Sequence, residues 1–122
     1  LLQQAEFITL HVPLTDTTKD MLKADAFAKM KKGVYIICAA RGGVIDEADL
    51  LAALESGQVA GAALDVFEKE PPGDSPLVKH PHFIGTPHLG GQTKEAQQRA
   101  AVDIVNEVLA ALEGDTLKWR VA

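Results

Sequence analysis

The segment Val34-Tyr35-Ile36-Ile37-Cys38 is uncharged and rich in β-branched side chains. A run of this kind predicts a strand covered on both faces, because neither face offers water a polar group. Residues 59–66, Val-Ala-Gly-Ala-Ala-Leu-Asp-Val, are small and apolar and suit a central strand on which helices pack closely. Residues 6–12 read as a buried strand closed by Pro13, and residues 83–86 as a short last strand.

Helical patterns alternate with these runs. Residues 24–32 predict a helix with Ala24, Phe27, Ala28 and Met30 on its apolar side. Lys29, Lys31 and Lys32 would complement its C-terminal dipole, and Gly33 would be the C′ residue. A second helix is expected from the N-cap Asp46, with Asp49 in a box-like position, a Leu50, Leu51 and Leu54 face, and Gly57 at its end. Residues 68–81 are a proline-rich loop. From Thr93 to about Leu112, apolar residues recur at helical spacing: Ala96, Ala100, Ile104, Val105, Val108 and Leu112. The alternation predicts an α/β fold: a parallel sheet joined by right-handed crossovers, with helices on both faces.

Charge and composition narrow the function. The 122 residues carry a formal net charge of −5, which repels a phosphate backbone, so no nucleic-acid partner is expected. No apolar run reaches the ~18 residues that span a bilayer, so no membrane partner is expected either. The lone Cys38 permits no internal disulfide and fits a reducing compartment, and no signal peptide is visible. A cytoplasmic protein is the expectation.

In open parallel sheets, ligands bind beyond the carboxyl ends of the strands. The polar residues of interest fall there: His11 after the first strand, Arg41 after the second, Asp65 and Glu70 after the third, His88 after the fourth. A guanidinium at Arg41 could hold a carboxylate through two parallel hydrogen bonds, next to Gly42 and Gly43, where small residues let a ligand approach the backbone. His88 could exchange a proton near neutral pH, with Glu70 on its other nitrogen fixing the tautomer. Each residue also has a plainer reading. Arg41 could be a surface residue beside a turn, Glu70 a solvated loop acid, His88 a structural histidine, and Asp65 a turn cap. His80 and His82 lack further ligands for a metal, and none is expected. Cys38 reads as a buried apolar residue.

Three ordered stretches decide between these readings: 40–47 (Ala-Arg-Gly-Gly-Val-Ile-Asp-Glu), 62–72 (Ala-Ala-Leu-Asp-Val-Phe-Glu-Lys-Glu-Pro-Pro) and 86–90 (Thr-Pro-His-Leu-Gly). With His11-Val12-Pro13-Leu14-Thr15, they resemble the D-isomer-specific 2-hydroxyacid dehydrogenase family over nearly the whole chain. The resemblance implies a partial Rossmann-like sheet and NAD as cofactor. Arg41 would orient the substrate carboxylate, His88 would be the acid/base, and Glu70 its partner. Asp65 would contact the nicotinamide carboxamide, and Val12, Ala39, Ala40, Arg41, His88, Gly90 and Gly91 would line the cofactor. Lys23 stands where the family usually has an Asn cap, a departure expected to touch stability more than chemistry.

The family's Gly-x-Gly-x-x-Gly loop and substrate domain have no counterpart in these residues. Residues 1–122 are therefore expected to be the C-terminal part of an NAD-binding domain from a longer protein, with an uncovered sheet edge that favours a homo-oligomer. Residues 90–97 are most similar to the branch of the family acting on 3-phosphoglycerate, although Gly91 and Gln92 replace its usual Ala and Ser. The expected reaction interconverts a D-2-hydroxy acid, 3-phosphoglycerate, and its 2-oxo acid. The alternatives are a folded but inactive fragment and a non-enzymatic, corepressor-like NAD-binding module.

Overall fold

The computed structural model describes residues 1–120; the last two residues of the 1–122 span lie outside the described residues. Residues 1–88 and 89–120 form two separate compact units. The first contains strands β1 (Phe7–Leu10), β2 (Val34–Cys38), β3 (Val59–Leu64) and β4 (Phe83–Gly85), with helices α1 (Ala24–Ala28) and α2 (Glu47–Glu55). The strands form one parallel sheet in the order β1-β2-β3-β4. This is the α/β arrangement that the alternating pattern requires.

One sheet face makes the core. Ile8, Leu10, Val34, Ile36, Cys38, Val59, Ala62 and Leu64 are buried together with Phe27 and Met30, and with Leu50 and Leu54 of α2. Helix α1 packs against α2, and α2 against β3. The other face carries Phe7, Tyr35 and Ile84 exposed, with Phe7 stacked on Tyr35 at 5.1 Å between ring centres. Tyr35 pairs with Gly61, where a Cβ would come within 3.1 Å of the Tyr35 ring. Of the helices expected on both faces, this unit supplies those of one. The alternating exposure of β1 and β2 therefore corrects the reading of both as strands covered on each side.

Element ends differ from expectation where side chains from afar intervene. Helix α1 stops at Ala28 because the Gln58 amide donates to the Phe27 and Met30 carbonyls at 2.9 and 3.0 Å. Its last turn holds no basic residue, and Gly33, at φ +82°, turns the chain into β2 instead of capping the helix. Strand β1 ends at Leu10, the last residue paired with β2 (Leu10 with Cys38), and β3 ends at Leu64.

Asp46 caps α2, accepting the Asp49 N–H at 2.9 Å. The reciprocal half of a capping box is absent: the Asp49 carboxylate accepts the Ala24 N–H at 2.7 Å. Lys23 offers α1 no side-chain cap; Asp49 of α2 instead serves the first helical N–H, that of Ala24, and the Ala26 N–H donates to the Lys23 carbonyl. Asp46→Ala is expected to lower stability by about 1 kcal/mol, the usual cost of losing an N-cap. Thermal denaturation followed by circular dichroism checks this, and an unchanged midpoint would refute the cap's contribution.

The second unit holds α3 (Lys94–Glu113), close to the expected span. Thr93 caps it by accepting the Ala96 N–H at 3.1 Å, and Gly114 ends it in the left-handed region at φ +78°. The backbone N–H groups of Lys118 and Trp119 donate to the Glu107 carboxylate, folding the chain back along the helix. No helix among the described residues is long and apolar enough to cross a membrane.

Candidate active site

The carboxyl ends of the strands carry the residues singled out in the sequence. Val12, Ala39, Ala40 and Arg41 line one depression of about 520 Å³ with His11, Pro13 and Leu14, beyond β1 and β2. Ala39 and Ala40 contribute small side chains to its lining. Arg41 is exposed, and its guanidinium donates to the Ala40 carbonyl at 2.7 Å. That bond uses one of five N–H donors, so the fork retains the capacity for a carboxylate.

Asp65 directly follows β3, and its Oδ1 accepts from the Thr86 hydroxyl just beyond β4 at 2.5 Å. Thr86 carried no signal in the sequence beyond its place in the Thr-Pro-His stretch. Gly90 and Gly91 lie in the second unit. His80 and His82 form a turn in which His80 Nδ1 accepts the His82 N–H at 3.2 Å. Burial pushes the Cys38 thiol up, which opposes a nucleophilic role.

Glu70 and His88, 18 residues apart, meet: Glu70 Oε2 lies 2.8 Å from His88 Nδ1. They border a second depression of about 310 Å³ with Phe67, Pro71, Pro72 and Pro87. The other carboxylate oxygen, Oε1, accepts the Phe67 N–H at 3.0 Å. The His88 hydrogen bond, and then the Phe67 N–H, hold the Glu70 carboxyl below its usual range, against smaller opposing effects of partial burial and Asp65. With Glu70 ionised and accepting, Nδ1 carries the shared proton, and Nε2 is the ring nitrogen left to exchange one with a ligand. His88 adopts φ +55°, a left-handed conformation that costs a non-glycine residue about 1–2 kcal/mol. Its backbone N–H donates to the Thr86 carbonyl at 3.0 Å, and its ring to Glu70, so both ends of the strained residue are held.

Gly42 plays a different part from the one expected. A Cβ there would lie 1.9 Å from the Phe67 carbonyl oxygen. The backbone approaching this glycine is the protein's own, at the start of the loop carrying Glu70. Glu47, the first residue of α2, accepts the Glu68 N–H from that loop at 2.7 Å. In sequence Glu47 is an ordinary first-turn acid, and nothing local marks its partner.

Residues 1–90 match the family model described as D-isomer specific 2-hydroxyacid dehydrogenase, NAD binding domain. The D-3-phosphoglycerate dehydrogenase of Bacillus subtilis (strain 168) is 58% identical over 114 residues, covering 93% of this chain and 22% of that protein. The chain therefore spans about a fifth of that curated relative's length. A glyoxylate reductase from Paecilomyes thermophila superposes with a TM-score of 0.87 at 38% identity, over 95% of this chain and 36% of that one. The NAD-complexed D-isomer specific 2-hydroxyacid dehydrogenase of Lactobacillus delbrueckii ssp. bulgaricus gives 0.86 at 28% identity, over 98% and 41%. The parallel sheet, the joined Glu70–His88 pair and these matches agree: the chain belongs to the D-isomer specific 2-hydroxyacid dehydrogenase family, whose NAD-binding domain its residues 1–90 match.

Proposed function

We propose that residues 1–122 are the C-terminal part of the NAD-binding domain of a dehydrogenase interconverting a D-2-hydroxy acid, 3-phosphoglycerate, and its 2-oxo acid. The observation that carries this reading is the Glu70–His88 hydrogen bond, which leaves Nε2 as the proton acceptor beside an open depression. In the oxidative direction Nε2 takes the substrate hydroxyl proton as the C–H bond at the same carbon gives up its hydride. Glu70 then faces an imidazolium and stabilises it. NAD, when bound, supplies the hydride acceptor. The small-residue lining at Ala39 and Ala40, with Val12 beside it, fits an approaching nicotinamide ribose, and Asp65 directly after β3 fits its carboxamide.

Arg41 holds the substrate carboxylate in this reading. Charge-assisted hydrogen bonds contribute about 1.5–3 kcal/mol each, so Arg41→Gln in the full-length enzyme should lower kcat/KM for the 2-oxo acid by roughly 100-fold. The KM for NADH should stay within about twofold. Steady-state kinetics with each substrate varied tests this, and an unchanged efficiency would overturn the assignment. The same reading makes the protein a cytoplasmic homo-oligomer, supported by the lone reduced Cys38 and the exposed apolar residues Phe7, Tyr35 and Ile84.

A further inference from the structure

We propose that Glu47 is a positioning residue for the Glu70–His88 pair: with Gly42 it clamps the Phe67–Glu68 peptide group, and that clamp aims the Glu70 carboxylate. The inference rests on the reading of Glu70 and His88 as the proton-transfer pair.

The clamp has two jaws, both provided by residues 42–47. One is the Gly42 Cα, against which the Phe67 carbonyl packs so closely that a Cβ would overlap its oxygen and carbon, at 1.9 and 2.2 Å. The other is the Glu47 carboxylate, which takes the N–H of the same peptide group, on Glu68, at 2.7 Å. A peptide group held at both its C=O and N–H sides cannot rotate without breaking one contact. The Phe67 ring is buried against Phe83 and over Gly85, where a Cβ would come within 3.1 Å of it. The residue whose N–H holds Glu70 Oε1 is therefore fixed in both backbone and side chain, and Oε2 is left aimed at His88.

Glu47 is suited to the task by its surroundings. Partial burial pushes its carboxyl up, the Glu68 N–H pulls it down, and the neighbouring Glu68 and Asp46 carboxylates push it up. Such a carboxylate has reason to keep its hydrogen bond to the loop. Because Gly42 follows Arg41 directly, the clamp also ties the proposed substrate-holding turn to the proton-transfer pair.

The test is the titration of the Glu70 side-chain carboxyl, read by carbon-13 NMR on the 122-residue chain with labelled glutamate. His88→Asn gives the reference for a lost pair, its midpoint moved up from the wild-type value. Glu47→Ala should produce at least half of that upward shift. Glu47→Gln, whose amide oxygen still accepts the Glu68 N–H, should titrate like wild type. Glu47→Asp keeps the charge but withdraws the acceptor by one methylene, so it should shift as Glu47→Ala does; it serves if the alanine variant fails to fold. A purely structural role would lower the thermal midpoint of Glu47→Ala and leave the Glu70 titration at the wild-type value, which would overturn the proposal. Glutamine behaving like alanine would overturn it too. No substrate or cofactor enters this measurement. Failure of the functional reading shows instead as full-length His88→Asn retaining turnover.

Discussion

If the full-length protein is the dehydrogenase proposed above, His88→Asn is expected to reduce kcat by about 10³–10⁴-fold while leaving NADH affinity within about twofold. General acid–base catalysis typically supplies 10²–10⁴-fold. The upper part of that range applies here because the ring is oriented before the reaction. Nδ1 is bound to Glu70 at 2.8 Å, and the backbone is held at φ +55° by the bond to Thr86. Asparagine keeps a hydrogen-bonding side chain and accepts the left-handed backbone with little cost, so the fold should survive. It cannot take up the hydroxyl proton. Stopped-flow single turnovers with NADH fluorescence separate the chemical step from cofactor binding. Equal losses in turnover and NADH affinity would sink the acid/base assignment.

The largest loss of stability is expected from Gly42→Ala. The added methyl would lie 1.9 Å from the Phe67 oxygen and 2.2 Å from its carbonyl carbon. Both are backbone atoms between a buried ring and the Glu47 contact, so relief requires moving the whole loop by more than 1 Å, an estimate from ordinary contact distances. Overpacking of this kind costs about 1–3 kcal/mol and sometimes more, and a rigid backbone neighbour puts this case at about 3 or above. For a unit the size of residues 1–88 that corresponds to a fall of about 12 °C or more in Tm. Gly43→Ala is the informative control. Gly43 has φ +81° but nothing nearer than the Leu14 side chain at 3.7 Å, so only the left-handed backbone penalty of about 1–2 kcal/mol applies. Melting the two variants side by side checks the ranking, and a Gly42→Ala midpoint at or above that of Gly43→Ala would refute the close approach.

The residues read most directly from sequence are those whose structure is decided by near neighbours. Strand β2 runs over the expected Val34–Cys38, because five uncharged residues between a glycine and a turn leave little choice. Asp46 caps the helix it precedes, since the acceptor and the N–H it serves lie three residues apart. Glu70 and His88 were paired from their motifs and their places beyond β3 and β4, and the parallel sheet brings them into contact.

What sequence left undecided depends on partners far along the chain. The end of α1 is decided by Gln58, about thirty residues later, although Lys29–Lys32 are good helix formers. Asp49 looked like half of a capping box and instead serves Ala24, because the Asp46 N–H that the box would use already donates to the Leu22 carbonyl at 3.0 Å. Gly42 looked like room for a ligand, and Glu47 carried no reading of its own beyond its place in the 40–47 stretch. Sequence alone determined the alternating α/β order, the Asp46 cap and the chemical identities of Arg41, Glu70 and His88. Only tertiary structure decided which backbone groups those side chains serve, because a peptide N–H or C=O looks the same at every residue and acquires a specific partner only when the chain has folded.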